Sequence, residues 1–372
     1  MKIIALILFV GITLTFTVCS AQHEQDASAD YLGKRWKEVA TEMPAEWYGS
    51  DQAKSVAENV LMSQKEIGGW EKNKPYHHTF SEAEKEHYIN DKAEVGATFD
   101  NDATITELRF LAKVYAANKD ERYKQAFGKG LHYIFAAQYE NGGWPQFFPV
   151  RQGSVAYSGH ITYNDDAMVN IMEFLKEIIS KNEAYASLQI SEDTRQKAQA
   201  AFDKGVQCML DTQIIVDGEP TVWCAQHDSV TLAPAKARSY ELPSFSGSES
   251  VGIVLLLMDM AYPSEEVIAA VNGAVQWFEN NSLEGIKIEK ETREDGKKNS
   301  IVVADKNAPP LWGRFYDLET SEVFFCSRDG IKRKTLAEIS DERRNGYSWY
   351  TNAPEKVLRQ YPVWQKKFGE KE

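Results

Sequence analysis

Three short polar runs stand directly before apolar segments with helical spacing, and together they could supply the oxygen ligands of a cation. They read Asp100-Asn101-Asp102, Asn164-Asp165-Asp166 and Gly247-Ser248-Glu249-Ser250. Asp, Asn and Ser are preferred at helix N-termini, so capping is the simplest interpretation of each run. One cap per helix is enough, however, and each of the first two runs has three Asp or Asn residues. Carboxylate and amide oxygens are the ligands of hard cations, so runs that converge would form a site for calcium.

A second motif, Gln-x-x-x-Gly-x-Trp, recurs along the chain and indicates a repeated unit. It extends from Gln64 to Trp70 and from Gln138 to Trp144, and a degraded copy extends from Gln213 to Trp223. A repeat of about 75 residues is too long for a simple solenoid and fits a pair of helices with a long loop, used three times around a ring. We expect the Gln amide to bond free carbonyls at the helix C-terminus, Gly to adopt a left-handed cap, and Trp to close the turn against the next helix.

Apolar residues at helical spacing predict three consecutive helical pairs, preceded by helices at residues 31–42 and 51–64. If the pairs stand in a ring, the polar runs that begin their first helices converge at one end of its axis. We interpret residues 68–96 as a long loop and residues 283–303 as a hairpin with a charged turn. The predicted pairs are residues 102–115 with 122–137, 166–179 with 193–213, and 248–261 with 265–280.

Composition and the N-terminal residues favour an acidic, secreted protein. The 372 residues carry a formal net charge of −13, which argues against nucleic acid as a partner and against general binding of polyanions. Lys2 precedes the apolar run 3–18, and small residues follow it, so residues 1–21 are predicted to be a signal peptide. The run is short for a membrane span. The alternative is a lipoprotein anchored through an acylated Cys19.

The other three cysteines give neither a metal motif nor a disulfide scaffold. They are Cys208, Cys224 and Cys326, and their spacing matches no metal site. One pair could bridge in an oxidising compartment, but the odd number argues against a disulfide framework.

Six segments, in this order, resemble the pectate lyases of polysaccharide lyase family 10. Together they are far more specific than any one of them, and the resemblance extends over nearly the whole chain, from about residue 36 to residue 361. The segments are GGWPQFFP (142–149), ITYNDDAM (161–168), VWCAQHD (222–228), ARSYELPS (237–244), RFYDL (314–318) and RDG (328–330).

The resemblance implies a mainly α fold, an (α/α)3 toroid of three helical pairs with a largely irregular second portion of short strands. It implies a single catalytic domain at residues 22–372, secreted to the periplasm or the exterior as a monomer. The implied activity is calcium-dependent β-elimination on polygalacturonate, which yields 4,5-unsaturated oligogalacturonides. The residues that match the family's site are Arg238 as Brønsted base, Asp165 and Asp100 as calcium ligands (with Asp102 an alternative to Asp100), and Arg314, Arg328, Asn101 and Asn164 as substrate-binding residues.

The chemistry of a uronate explains why such a site needs both acids and arginines. Removal of the C5 proton places further negative charge on the sugar carboxylate, and cations on that carboxylate lower the barrier. Arg238 as the base is the difficult assignment, because free arginine has a pKa above about 12 and stays charged. Nearby cations or a high pH would be needed to make it neutral. The alternative role of Arg238 is an ion pair with Glu241 or an anion clamp.

Three other functions remain open on the sequence alone. A terpenoid cyclase shares the Gln-x-x-x-Gly-x-Trp turns, but its Asp-x-Asp-Asp and Asp-Asp-x-x-Asp motifs do not occur in this chain. A glycoside hydrolase on a helical toroid could use Asp165 and Glu249 as its two carboxylates. Glu249 could equally cap its helix or support Arg238. A non-catalytic pectin-binding protein would need Arg314 and Arg328 but not Arg238.

Overall fold

Helices occupy inner and outer positions around a ring in the computed structural model, which describes residues 31–368. Inner helices α4, α6 and α8 bury most of their residues, as expected for helices with neighbours on several sides. Outer helices such as α5 bury one face only. The helices are α1 (Trp36–Glu42), α2 (Asp51–Ser63), α3 (Glu82–Asn90), α4 (Ile105–Asn118), α5 (Glu121–Ala137), α6 (Ala167–Ile179), α7 (Glu192–Thr212), α8 (Glu249–Met258), α9 (Glu265–Asn280), α10 (Asp341–Gly346) and α11 (Pro354–Phe368).

Three consecutive pairs form the ring, which confirms the predicted (α/α)3 toroid. The pairs are α4 with α5, α6 with α7, and α8 with α9, and α6 packs between the other two inner helices. Helix α11 covers the third pair by packing on both of its members. One apolar core runs through the ring, and a smaller aromatic cluster lies under the irregular second portion.

Strands are short and occur only as antiparallel pairs in the described part of the chain. The hairpin predicted at 283–303 is confirmed as the longest pair, β6 with β7. The pairs are β1 (Ile161–Thr162) with β4 (Gln226–His227), β2 (Ile215–Val216) with β3 (Glu219–Pro220), β5 (Phe245–Ser246) with β9 (Phe315–Tyr316), β6 (Ile286–Thr292) with β7 (Lys298–Ala304), β8 (Trp312–Gly313) with β12 (Tyr350–Thr351), and β10 (Phe325–Cys326) with β11 (Lys332–Arg333).

The repeated Gln and Trp residues tie successive outer helices together. Gln138 Nε2 donates to the carbonyl of Gly142 at 3.0 Å and to that of Ala201, in the next outer helix, at 2.8 Å. Trp144 Nε1 donates to the free carbonyl of Ile134 at the end of α5. The indole, and not the Gln amide, therefore caps the helix, contrary to our expectation. The other copies make the same bonds: Gln64 to Gly68 and Ala126, Gln213 to Thr221 and Ala270, Trp70 to Val60, and Trp223 to Met209.

Two helices were not predicted from the sequence. Helix α3 lies within residues 68–96 and begins with a capping box between Ser81 and Glu84. It buries a single residue, Tyr88, so it lacks the apolar period that marks a helix in a sequence. Helix α11 contains Pro362, which disguises its pattern.

Other predictions have mixed outcomes. The thiols of Cys208, Cys224 and Cys326 are free and buried, so no two of these three cysteines are bridged. The predicted signal peptide (1–21) and its Cys19 lie outside the described residues. Within residues 31–368, no helix has both the length and the apolar character needed to cross a bilayer.

The close approach at Gly142 leads to a stability prediction. Gly142 has a φ of +89°, and an added Cβ would lie 2.0 Å from the backbone oxygen of Lys204 in α7. Gly142→Ala should lower the free energy of unfolding by about 3 kcal/mol, since it adds a backbone clash to left-handed strain. Gly153→Ala is the control, because Gly153 has a φ of +70° in open space, and should cost only about 1 kcal/mol. Urea unfolding measures both free energies. Equal losses in Gly142→Ala and Gly153→Ala would show that the close approach of residue 142 to Lys204 is unimportant for stability.

Candidate active site

The first two polar runs form tight left-handed turns and do not cap their helices. Asn101 and Asp165 have φ of 52°, and the next residue of each run also has a positive φ. Asn and Asp tolerate this region better than other side chains. Helix α4 instead begins with a capping box between Thr104 and Glu107, and neither Asp166 nor Ser248 makes a side-chain cap bond. The capping interpretation is therefore wrong for all three runs.

Each run is held between two successive Trp segments by backbone hydrogen bonds. Before the run, a residue donates to the carbonyl of its own Trp: Thr98 to Trp70, Thr162 to Trp144, and Ser246 to Trp223. The following residue donates to the carbonyl two positions after the next Trp: Phe99 to Gln146, Tyr163 to Ala225, and Gly247 to Arg314. We call these bonds the Trp clamp.

The clamp reveals a fourth Trp that the sequence analysis missed. Trp312 Nε1 donates to the carbonyl of Phe278 at 2.8 Å, as the other three indoles do in their own helices. Arg314 lies two residues after Trp312, and its carbonyl accepts from Gly247, which places Arg314 beside the third polar run. Lys72 has the same place after Trp70.

A cavity of about 120 Å³ brings most of the predicted site residues together. Residues from four separate parts of the chain meet there, as a ring with converging helix starts requires. Five of the predicted residues line the cavity: Asp100, Asn101, Asn164, Asp165 and Arg238. Residues not predicted for the site also line it: Lys72, Gln146, Arg151, Tyr157, Gln226 and Glu241.

The two aspartate carboxylates in the cavity are suited to a hard cation, whereas the third carboxylate, Glu241, is paired with Arg238. Asp100 is 2% exposed, its Oδ2 is paired with Lys72, and its buried Oδ1 has no hydrogen-bond partner. Asp165 is half-exposed, with Oδ2 accepting from Asn164 at 2.7 Å. Anionic oxygen without a partner is what calcium binds. Across residues 31–368, however, no three acidic, His or Cys side chains are grouped to hold a metal, so other ligands would complete the shell.

Asp102 points away from this cavity, which favours Asp100 as the ligand. Its Oδ2 accepts from Lys37 Nζ at 2.8 Å and its Oδ1 accepts from Asn170 at 2.9 Å. Both carboxylate oxygens therefore have partners.

Arg314 lies beside the cavity in a buried network. Its Nη2 donates to Asn164 Oδ1 at 3.1 Å, is 3.5 Å from Asp165 Oδ1, and forms an ion pair with Glu249. Burial alone would lower the pKa of Arg314, but the negative charges around it, with Glu249 the largest contributor, together raise the pKa above its usual range. Glu249 therefore supports Arg314 rather than Arg238, and it does not cap α8. Its side chain is 3% exposed, which removes it as a free second carboxylate for a hydrolase.

Arg238 forms the ion pair that was its alternative role. Its Nε donates to Glu241 Oε2 at 2.7 Å, and its Nη2 is paired with Oε1. Tyr347 also donates to Glu241, at 2.8 Å. Burial favours a lower pKa for Arg238, but the hydrogen bonds and charge of Glu241 raise it above its ordinary value. The side chain is nevertheless 42% exposed and lines the cavity, so it can reach a ligand.

Arg328 does not reach the cavity lining. It is 63% exposed and is paired with Glu342 at 2.9 Å. Its guanidinium lies 5.6 Å from the ring of Tyr240, and that of Arg238 lies 5.0 Å from the same ring. The two arginines thus share one aromatic side chain, and Arg328 extends the basic surface outward.

Comparisons with known proteins agree with this geometry. A family model described as pectic acid lyase matches residues 64–358. The structure is similar to the family 10 polysaccharide lyase from Cellvibrio cellulosa, with a TM-score of 0.72, 34% identity, and coverage of 88% of this chain and 96% of that chain. An aspartate-to-alanine mutant of that organism's family 10 lyase, in complex with trigalacturonic acid, gives the same score and identity, with 88% and 98% covered. A search of curated proteins found no match.

Burial of the Arg314–Glu249 pair leads to a second stability prediction. Glu249→Ala should lower the free energy of unfolding by about 3–5 kcal/mol, because it leaves a buried guanidinium without its partner. Asp165→Asn is the matched control; Asp165 contacts the same guanidinium from a half-exposed position, so its loss should cost less than about 1 kcal/mol. Urea unfolding followed by Trp fluorescence measures both, and a small loss in Glu249→Ala would contradict the importance of the pair.

Proposed function

The chain belongs to the pectic acid lyase family and is a pectate lyase, and we propose that it cleaves polygalacturonate by calcium-dependent β-elimination with Arg238 as the base. The observation that carries this proposal is the cavity in which the carboxylates of Asp100 and Asp165 face Arg238. A site that only bound pectin would have no use for paired acids, which repel a polyanion unless a cation joins them.

Each proposed role follows from the position of the side chain. Asp100 and Asp165 would hold the calcium ion. When bound, calcium neutralises a uronate carboxylate and stabilises the charge that develops as the C5 proton leaves. Arg238 takes that proton, the C4–oxygen bond breaks, the leaving oxygen takes up a proton from water, and a C4–C5 double bond remains in the product. The remaining candidates would orient the sugar: Asn101 and Asn164 at the cavity wall, Arg314 beside Asp165, and Arg328 at the exposed end.

Glu241 sets the condition under which Arg238 can act. Its carboxylate favours the charged guanidinium, whereas a base must be neutral before it accepts the C5 proton. We propose that Arg238 leaves Glu241 as substrate and cation fill the cavity, while the hydroxyl of Tyr347 stays on Glu241. The positive charge that arrives with the cation then disfavours protonation of Arg238.

Two of the rival functions need features that the described residues do not provide. The hydrolase considered above uses Asp165 and Glu249 as its two carboxylates, and Glu249 is enclosed with Arg314. A terpenoid cyclase needs an apolar cavity, and this one is lined by charged and amide side chains.

Oligogalacturonate is the substrate class we propose, and the trigalacturonic acid bound by the Cellvibrio mutant supports it. Export from the cell, with residues 1–21 as the leader or with a lipid on Cys19, is a further proposal that rests on the sequence. A monomeric state is likewise proposed from the family resemblance.

The decisive assay follows the ultraviolet absorbance of unsaturated products from polygalacturonate. Product should form with calcium and not in excess chelator, and Asp165→Asn should lower kcat/KM at least about 100-fold because an amide is a weaker cation ligand. The matched control is Asp102→Asn, in the equivalent turn but facing away from the cavity, which should stay within about threefold of the parent. Undiminished activity in dialysed enzyme with chelator would overturn the proposal.

Removal of the Glu241 charge tests the base. Glu241 raises the pKa of Arg238 in the substrate-free enzyme, so Glu241→Gln should lower that pKa and shift the alkaline rise of kcat/KM to lower pH by about one unit or more. In the parent, the rate should climb into the alkaline range, because only the neutral guanidinium accepts a proton. Arg238→Lys should lose turnover with substrate binding largely kept. A profile that is unchanged in Glu241→Gln would identify Arg238 as an anion clamp.

A further inference from the structure

Lys72 occupies the carboxylate that the proposed cation would need. Its Nζ is paired with Oδ2 of Asp100, which is 2% exposed, while the other oxygen, Oδ1, is buried without a partner. Lys72 is itself 35% exposed and lines the cavity next to Arg151 and Phe147. Asp100 is therefore held in place by burial, whereas the side chain of Lys72 is free to move.

The fold places Lys72 as it places Arg314. Each is the second residue after a Trp whose indole caps an outer helix, and each pairs with a residue of a polar run. The two differ in mobility. Arg314 is enclosed by Glu249, Asn164 and the Tyr347 ring, whereas Asp100 is the one anionic partner that the structure gives Lys72 among the described residues.

An ammonium group and a divalent cation cannot both sit on Asp100 without strong repulsion. A lysine has a flexible stem and a point charge that can be satisfied by any nearby anion. The uronate carboxylates of the substrate would bring such an anion into the same cavity. Lys72 would then exchange one carboxylate for another and vacate Asp100.

We propose that Lys72 is the exchangeable counter-ion of Asp100. In the substrate-free protein it holds the carboxylate and weakens binding of a divalent cation, and when substrate binds it moves to a uronate carboxylate. This inference rests on the proposed function and deepens it. It makes cation and substrate binding cooperative, and the coupling is reciprocal, so each ligand strengthens the other by the same factor.

Calorimetric titration of the substrate-free protein with calcium tests the exchange without any turnover. Lys72→Gln should bind calcium at least about 10-fold more tightly than the parent, and Lys72→Arg, which keeps the charge, should resemble the parent. Lys37→Gln is the matched control, because Lys37 pairs with Asp102 in the same turn but outside the cavity, and should change the affinity less than about threefold. Calcium affinity that is unchanged or weaker in Lys72→Gln overturns the proposal.

A thermal readout covers the case in which the Lys72→Gln protein folds poorly. Asp100 is buried and loses its counter-ion in this variant, so calcium should raise the melting temperature more in Lys72→Gln or Lys72→Met than in the parent. Equal calcium shifts in all proteins would contradict the exchange.

Cooperativity is measured in an Arg238→Ala background, where cleavage is blocked. Trigalacturonic acid should tighten calcium binding by a factor about 10-fold larger when Lys72 is present than in the Lys72→Gln double variant, because the direct contact of calcium with the uronate persists in both proteins. If trigalacturonic acid tightens calcium binding by the same factor in both proteins, the proposal is overturned. The chelator assay on the parent is independent: its failure removes the proposed function, whereas a calcium-dependent parent with unchanged titrations removes only the role of Lys72.

Discussion

The Trp clamp is the constraint on which the site depends. Each Trp indole satisfies a free carbonyl at the end of an outer helix, and its backbone then holds the segment that leads into an inner helix. Because buried backbone groups must be hydrogen-bonded, this arrangement fixes the polar runs without help from their own side chains. The Asp and Asn side chains are consequently free to face the cavity.

Charge balance within the site explains the arrangement of its residues as much as geometry does. Every candidate cation lies against a carboxylate of the protein itself: Lys72 on Asp100, Arg238 on Glu241, Arg314 on Glu249 and Arg328 on Glu342. A buried charge without a partner is costly, so these pairs hold the site together before any ligand arrives. At Lys72, Arg238 and Arg328 an anionic sugar can therefore bind only by exchange of partners, whereas Arg151, which also lines the cavity, has no carboxylate partner among the described residues. We infer that Arg314 keeps its enclosed pair with Glu249 when substrate binds, while the more exposed cations change partners.

Much of the fold and the location of the site followed from local signals. Apolar spacing predicted the three helical pairs within a few residues, and the repeated motif predicted the ring, so the meeting of Asp100 and Asp165 could be expected. Long-range partners could not be read in this way. Glu249 and Arg314 are 65 positions apart, and nothing local distinguishes their pairing from one with Arg238. Trp312 was not recognised as a fourth copy because no Gln or Gly-Gly precedes it. The equivalent positions of Lys72 and Arg314, each two residues after such a Trp, were therefore missed as well.

The Trp clamp holds the polar runs at the two ends of each connection between a Trp and the following inner helix. Its bonds are made at the ends of each connection, so the backbone of each run is held there, although the connections also carry cavity residues such as Lys72 and Arg238. The connections already differ in length, with 28 positions from Trp70 to Thr98, 18 from Trp144 to Thr162, and 23 from Trp223 to Ser246. Loop closure varies only slowly with length, so such segments can be exchanged or extended at small cost in stability. The surroundings of the cavity can therefore change through those parts of the connections that lie away from it, while Asp100 and Asp165 stay where they are and the cavity residues of the connections, such as Arg238, are kept.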